Sequence, residues 1–168
     1  MGTCGTKIKQ HIIEHEILGI DGGGSITDIQ VDGGRLWVYD SSRSKWLSSD
    51  RLTASAGRAG RAKNSYLRLH DGQTSNLTGY RLPRDATITA MMAQTRNVET
   101  WTLRVRKNGS ATNVASLVLN GVDGRHVITT NVDLDEGDQV QFYADTTEIL
   151  GIRDPFVWIE IAWRNTNL

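Results

Sequence analysis

Residues 99–109 read ETWTLRVRKNG, and this stretch decides the fold. Trp101, Leu103 and Val105 alternate with Thr102, Arg104 and Arg106. Apolar side chains therefore take one face and polar ones the other, the period-two pattern of a half-buried strand. Asn108-Gly109 follows at once, a dipeptide suited to a tight type I′ hairpin turn. Toward the C-terminus the same signals recur. NVASLVLNG (113–121) predicts the returning strand, ended by Asn120-Gly121 and Asp123-Gly124. HVITTNVDL (126–134) predicts a third strand, closed by the turn DEGD, and QVQFYAD (139–145) a fourth. PFVWIEIAWR (155–164) is the last, with Val157, Ile159, Ile161 and Trp163 on one side. Pro83 and Pro155 both stand at strand starts, where a missing N–H does little harm. Short strands at close spacing with glycine turns predict an all-β fold, an antiparallel β-sandwich. There is no βαβ alternation, which argues against a Rossmann-type sheet.

Toward the N-terminus the pattern changes. TASAGRAGRAKN (53–64) is small, basic and aperiodic, and reads as a neck. RLWVYDSSRSKWLSSDR (35–51) reads as strand, polar turn, strand, with Trp37, Tyr39 and Trp46 as apolar anchors. Gly33-Gly34 and Gly22 to Gly24 read as flexible punctuation, and residues 7–20 fit neither period. The expected division is an N-terminal arm with a short β-hairpin (1–50), a basic neck (51–64) and a β-sandwich head (65–168).

The 168 residues carry 19 Lys+Arg and 19 Asp+Glu. With no net charge, neither nucleic acid nor membrane is an expected partner. Hydrophobic residues make up 38%, enough for a core when the five tryptophans are counted. Cys4 is the single cysteine, so no intrachain disulfide is possible, as suits a protein made in a reducing cytosol. Neither a signal peptide nor a membrane span is expected.

Two catalytic signatures overlap in HIIEHEILGIDGGGSITD (11–28). HIIEH fits the H-x-x-E-H of a zinc protease family, but zinc hydrolysis needs a long helix and a third ligand. Ile12, Ile13 and Ile17, with Gly19 close behind, disfavour that helix. ILGIDGGGSITD resembles the phosphate-binding turn of the actin and sugar-kinase fold, but the two large α/β domains of that fold are missing from the downstream pattern. Both signatures read as accidents of a β-rich arm. His70-Asp71 and Arg125-His126 have no nucleophile at suggestive spacing. Asp133, Asp135, Glu136 and Asp138 crowd one turn and offer carboxylates for Ca²⁺, although acidic residues at a glycine turn are usually solvated. No enzymatic activity, catalytic residue, cofactor or metal is expected.

GRAKNSYLRLHDGQTSNLTGYRLPRDATITAMMAQTRNVETWTLRVRKNG, VDLDEGDQVQFYAD and WIEIAWR together resemble a group of tailed-phage virion proteins. Those proteins carry small jelly-roll domains similar to the tumour-necrosis-factor and complement globular heads. The resemblance spans about Arg35 to Arg164. It implies a homotrimer on the virion exterior, made in the host cytoplasm: a capsid decoration (cement) or head-fibre protein that binds the major capsid protein through its N-terminal part. The runner-up is the receptor- or glycan-binding tip of a tail fibre, with a host-surface glycan as partner. No catalytic residues come with the resemblance.

The last predicted strand is apolar on both sides, because Phe156 and Trp158 oppose Val157, Ile159, Ile161 and Trp163. A sandwich strand buries one face in its own core. Either a second copy covers the other face, or the N-terminal segment folds back over it. The expected trimer interface is Phe156, Trp158 and Tyr143, and the expected capsid-binding arm residues are Ile12, Ile13, Ile17, Leu18, Ile20, Trp37 and Trp46.

Overall fold

The computed structural model describes residues 28–168. Its strands are β1 (Ile29–Asp32), β2 (Arg35–Asp40), β3 (Lys45–Gly57), β4 (Arg61–Ala62), β5 (Ser65–Tyr66) and β6 (Tyr80–Arg81), then β7 (Ala86–Lys107), β8 (Asn113–Val127), β9 (Val132–Leu134), β10 (Gln139–Asp145), β11 (Ile152–Arg153) and β12 (Phe156–Asn165). Every ladder among them is antiparallel, and the described residues contain no α-helix.

The stretch ETWTLRVRKNG forms the second half of β7 and the turn that follows. Asn108 and Gly109 both have positive φ, 56° and 73°, as a type I′ turn requires. β7 is continuous but serves two layers. Its first half pairs with β12 and β9, and its second half with β10. The change of layer falls at residues 95–98, where Gln94 pairs with Gly124 and Glu99 with Val122. Four residues of β7 there face one residue of β8, so the two strands fold over together.

The first layer holds β3, β12, the first half of β7 and β9. The second holds β5, β6, β10, the second half of β7 and the start of β8. The first layer interleaves β3 and β12, from the two ends of the described chain, with β7 and β9 from its middle, and the second sets β10 between β7 and the short β5 and β6, a connectivity consistent with a jelly roll. The core lies between them. Ala54, Ile88, Met91, Val157, Ile159 and Ile161 come from one layer, and Trp101, Leu103, Val105, Leu119, Val140 and Phe142 from the other. The Tyr80 hydroxyl donates to the Ser55 carbonyl at 3.1 Å and ties β6 to β3 across the layers.

Several expectations need correction. Asn120-Gly121 and Asp123-Gly124 do not end a strand. β8 runs through them, because they absorb the extra residues of the β7 bend. His126 and Val127 close β8, and β9 begins only at Val132, so HVITTNVDL is not one strand. Gly33-Gly34 is a defined two-residue hairpin turn, with φ of 56° and 75° between paired Asp32 and Arg35.

The boundary expected at residue 50 falls inside β3. Residues 51–57 of the expected neck are a strand paired with β12, and Ala54, Ala56 and Ala62 are buried. Small residues there reflect close packing rather than a spacer. The sequence alone could not separate the two, since Ala, Ser and Gly suit both.

Candidate interaction surface

The surface to examine is the outer side of the first layer, where Phe156 and Trp158 stand. Its rows follow from register. Trp158 is flanked by Ser55 on β3 and Met92 on β7, and Phe156 by Gly57 and Gln94. Further along, Ala162 is flanked by Arg51 and Thr87, and Thr87 by Asp133.

The N-terminal hairpin covers one half of this face. β3 pairs with β12 through Arg51↔Ala162 and then through Leu47↔Arg164, so Ser48 to Asp50 bulge opposite Trp163. The Ser48 hydroxyl fills the gap in the ladder, accepting from the Trp163 N–H at 3.1 Å and donating to the Asp50 carbonyl at 2.7 Å. A bulge bends its strand, and this one carries the β2–β3 turn onto the outer face.

Arg43 fastens it there. Its guanidinium donates to the carbonyls of Thr130 (2.8 Å), Thr89 (3.0 Å) and Ile128 (2.6 Å), and pairs with Asp40 at 2.5 Å. Lys45 reaches Asp133 and Asn131, both at 2.6 Å. Under this clasp Ala162, Thr87 and Thr89 are buried, although they point away from the core. Leu47 is buried too, apart from the main core cluster. The electrostatics match. Burial alone would raise the Asp40 carboxyl, but hydrogen bonds from Ser42 and Arg43 and the Arg43 charge hold it below its ordinary value. Asp133 behaves alike: burial opposes, and hydrogen bonds from Lys45 and Thr87 with the Arg164 and Lys45 charges prevail.

Among the described residues nothing covers the other half of the face. Phe156 is 40% exposed, and Trp158, Met92 and Ser55 are half-buried. Small residues flatten the platform: the Phe156 ring lies over Gly57, where a Cβ would stand 3.4 Å from it. The Arg51–Glu160 ion pair at 3.5 Å borders the patch on the clasp side.

Phe156 and Trp158 are thus neighbours on one patch, while Tyr143 is not with them. It lies on β10 in the second layer, edge-on to Tyr66 at 5.1 Å, with the Arg106 guanidinium 3.8 Å from its ring centre. Trp37 is only 6% exposed and donates its indole N–H to the Asp32 carbonyl, so it offers no docking surface. Trp46 is half-buried and packs on Tyr39 at 5.4 Å. Ile12, Ile13, Ile17, Leu18 and Ile20 lie outside the described residues, as do HIIEH and Gly22 to Gly24. Sequence reasoning missed Met92 and Arg43. Met92 hides in the run ATITAMMA, whose last four residues are all apolar, and Arg43 in the polar turn SSRSK.

The acidic turn is an ion-pair network. Asp138 meets Lys107 at 2.8 Å and Asn108 at 2.6 Å, and Arg164 lies near Asp133 and Asp135. Burial would raise Asp138, but these hydrogen bonds and the Asp135 N–H lower it, while the bond to Asp138 raises Lys107 against the effect of burial. Among the described residues no group of three or more His, Cys, Asp or Glu could hold a metal ion. His70 contacts the Tyr80 hydroxyl at 3.3 Å.

No protein-family profile matches the sequence, and no curated protein matches it. Two solved structures of the Tobacco streak virus coat protein are similar in fold. The coat protein dimer aligns at 10% identity and a TM-score of 0.36, over 70% of this chain and 88% of that one. A second crystal form gives 10% and 0.36, over 71% and 90%. The likeness is distant.

Proposed function

We propose that this chain is a non-enzymatic structural protein of a virion, a capsid decoration or head-fibre protein that assembles as a homotrimer and binds the major capsid protein through its N-terminal part. The observation that carries the reading is the half-covered outer face of the first layer. The chain covers the Ala162 half with its own hairpin, and among the described residues Phe156, Trp158 and Met92 are without cover. Burying one aromatic side chain of roughly 200 Å² stabilises by up to about 5 kcal/mol by area, an upper bound. A patch with two such residues therefore rewards contact with a second copy. The sequence resemblance to phage virion heads supplies the trimer and the capsid.

The trimer interface is accordingly Phe156, Trp158 and Met92, without Tyr143. The capsid-binding part is residues 1–27 together with the hairpin strand β1, which among the described residues is a sheet edge that can take up a partner strand. Deleting residues 1–27 tests the second assignment. The truncated protein should stay soluble and trimeric and fail to bind particles. Retained particle binding would refute it.

A further inference from the structure

The ends of the sandwich differ. β3 and β12 run antiparallel with Lys45 near one pole and Gly57 beside Phe156 at the other, so the hairpin and its clasp mark one pole. At the far pole, β10 connects to β11 through residues 146–151, and Glu148–Gly151 form a β-turn closed by the Gly151 N–H on the Glu148 carbonyl at 3.0 Å. The central residues of such turns are normally Gly, Pro, Asn, Asp or Ser. Here they are Ile149 and Leu150, which are 85% and 68% exposed. Val98, 67% exposed, precedes Glu99, which lines the same cleft as both of them.

This apolar knuckle is firmly built. Lys63 donates to the Ile149 carbonyl at 3.1 Å, and Arg61 to the carbonyls of Leu150 and Gly151 at 3.4 and 2.9 Å. Gly151 has φ +73°, and a Cβ there would stand 2.6 Å from the Ala62 carbonyl oxygen, so only glycine allows the turn to sit this close to β4. All four turn carbonyls thus have donors, which lowers the cost of entering an apolar medium, while the Ile149 and Leu150 N–H groups have no acceptor among the described residues. Arg58, Arg61 and Lys63 form no ion pair among the described residues. Arg61 and Lys63 place cationic heads behind the aliphatic tips, where long basic side chains meet headgroups.

The geometry points to a bilayer-docking site: Ile149 and Leu150 enter the outer edge of an anionic membrane while Arg61 and Lys63 meet its phosphates. A protein pocket would need a cavity matched to two tips, whereas the edge of a bilayer asks only for aliphatic tips, paired carbonyls and the Arg61 and Lys63 cations behind them, and its headgroup water serves the two turn N–H groups. This departs from the expectation drawn from the net charge, because it rests on where Arg61 and Lys63 stand relative to the tips and not on a net excess of cations. It stands apart from the capsid reading, using neither the arm nor the Phe156 patch. Glu148 and Glu99 oppose it, which gives the test a sign.

The test is flotation of the full chain with vesicles of equimolar phosphatidylcholine and phosphatidylglycerol, against pure phosphatidylcholine. The wild type should float with the anionic vesicles. Ile149→Ser with Leu150→Ser should lower binding tenfold or more; both side chains are exposed, so the fold is spared. Glu148→Gln should tighten binding. If the wild type ignores both vesicle types, the bilayer assignment is overturned and a protein pocket becomes the class to pursue. Binding that survives the double serine change overturns it equally.

Discussion

Two halves of one sheet face, a few residues apart on β12, have opposite fates. Beside Ala162 the face is roofed by the chain's own hairpin, and polar groups there have partners: Thr87 with Asp133, Thr89 with Glu160. Beside Phe156 the same face carries larger apolar side chains and, among the described residues, no roof. The difference teaches that cover follows from a specific clasp, not from the apolarity of what lies beneath. The three-residue bulge at Ser48–Asp50 aims the hairpin, and Arg43 and Lys45 stop it at Thr89 and Asp133. What lies beyond their reach is the patch we propose as the contact with another copy.

The comparison breaks most sharply at Arg43. Arg43→Ala removes a half-buried cation that serves three carbonyls and Asp40, and should cost about 3 kcal/mol of unfolding free energy. Urea denaturation measures it, and a loss below about 0.5 kcal/mol would mean that the clasp does not hold the roof. Acid is the next lever. Asp40 and Asp133 both titrate below their ordinary value of 3.8 in the folded chain. Their contribution is therefore complete above the ordinary carboxylate range and lost as pH falls through it toward the folded values. The urea midpoint should drop between about pH 6 and about pH 3, and Asp133→Asn should shallow that drop. A midpoint that holds or rises toward acid contradicts the clasp electrostatics. Tyr143→Ala should cost about 1 kcal/mol through its lost ring and guanidinium contacts, and should leave self-association unchanged, since Tyr143 sits on the other layer. The smallest effect belongs to Asp135→Asn. That side chain is 70% exposed, so stability should move by no more than about 0.5 kcal/mol.

Much of the sandwich was legible because period two reports burial directly. Trp101, Leu103 and Val105 are buried as alternation requires, and so are Val157, Ile159 and Ile161. Trp163 departs from that pattern, half-buried beside the bulge of β3, while Ala162 is buried on the outer face under the hairpin. The bend of β7 left no local signal, since its polar residues 94–97 read as a strand end rather than a change of layer. The roof was illegible for a different reason. It depends on Arg43 meeting the carbonyls of residues 89, 128 and 130, a contact over more than 80 positions of chain for two of the three, and carbonyls carry no sequence identity. That Phe156 and Trp158 share a patch could be read from their spacing of two. That Tyr143 lies elsewhere could not, because placing it required knowing which layer β10 joins.

The central claim is that the bare half of the face is where copies of this chain meet, and sedimentation equilibrium of the full chain beside Trp158→Ser tests it most directly. The wild type should sediment at micromolar concentration as a species of three chain masses, and the Trp158→Ser protein should dissociate at concentrations at least tenfold higher while its β-sheet circular dichroism is unchanged. A wild type that stays monomeric, or a Trp158→Ser protein that associates just as tightly, would contradict it.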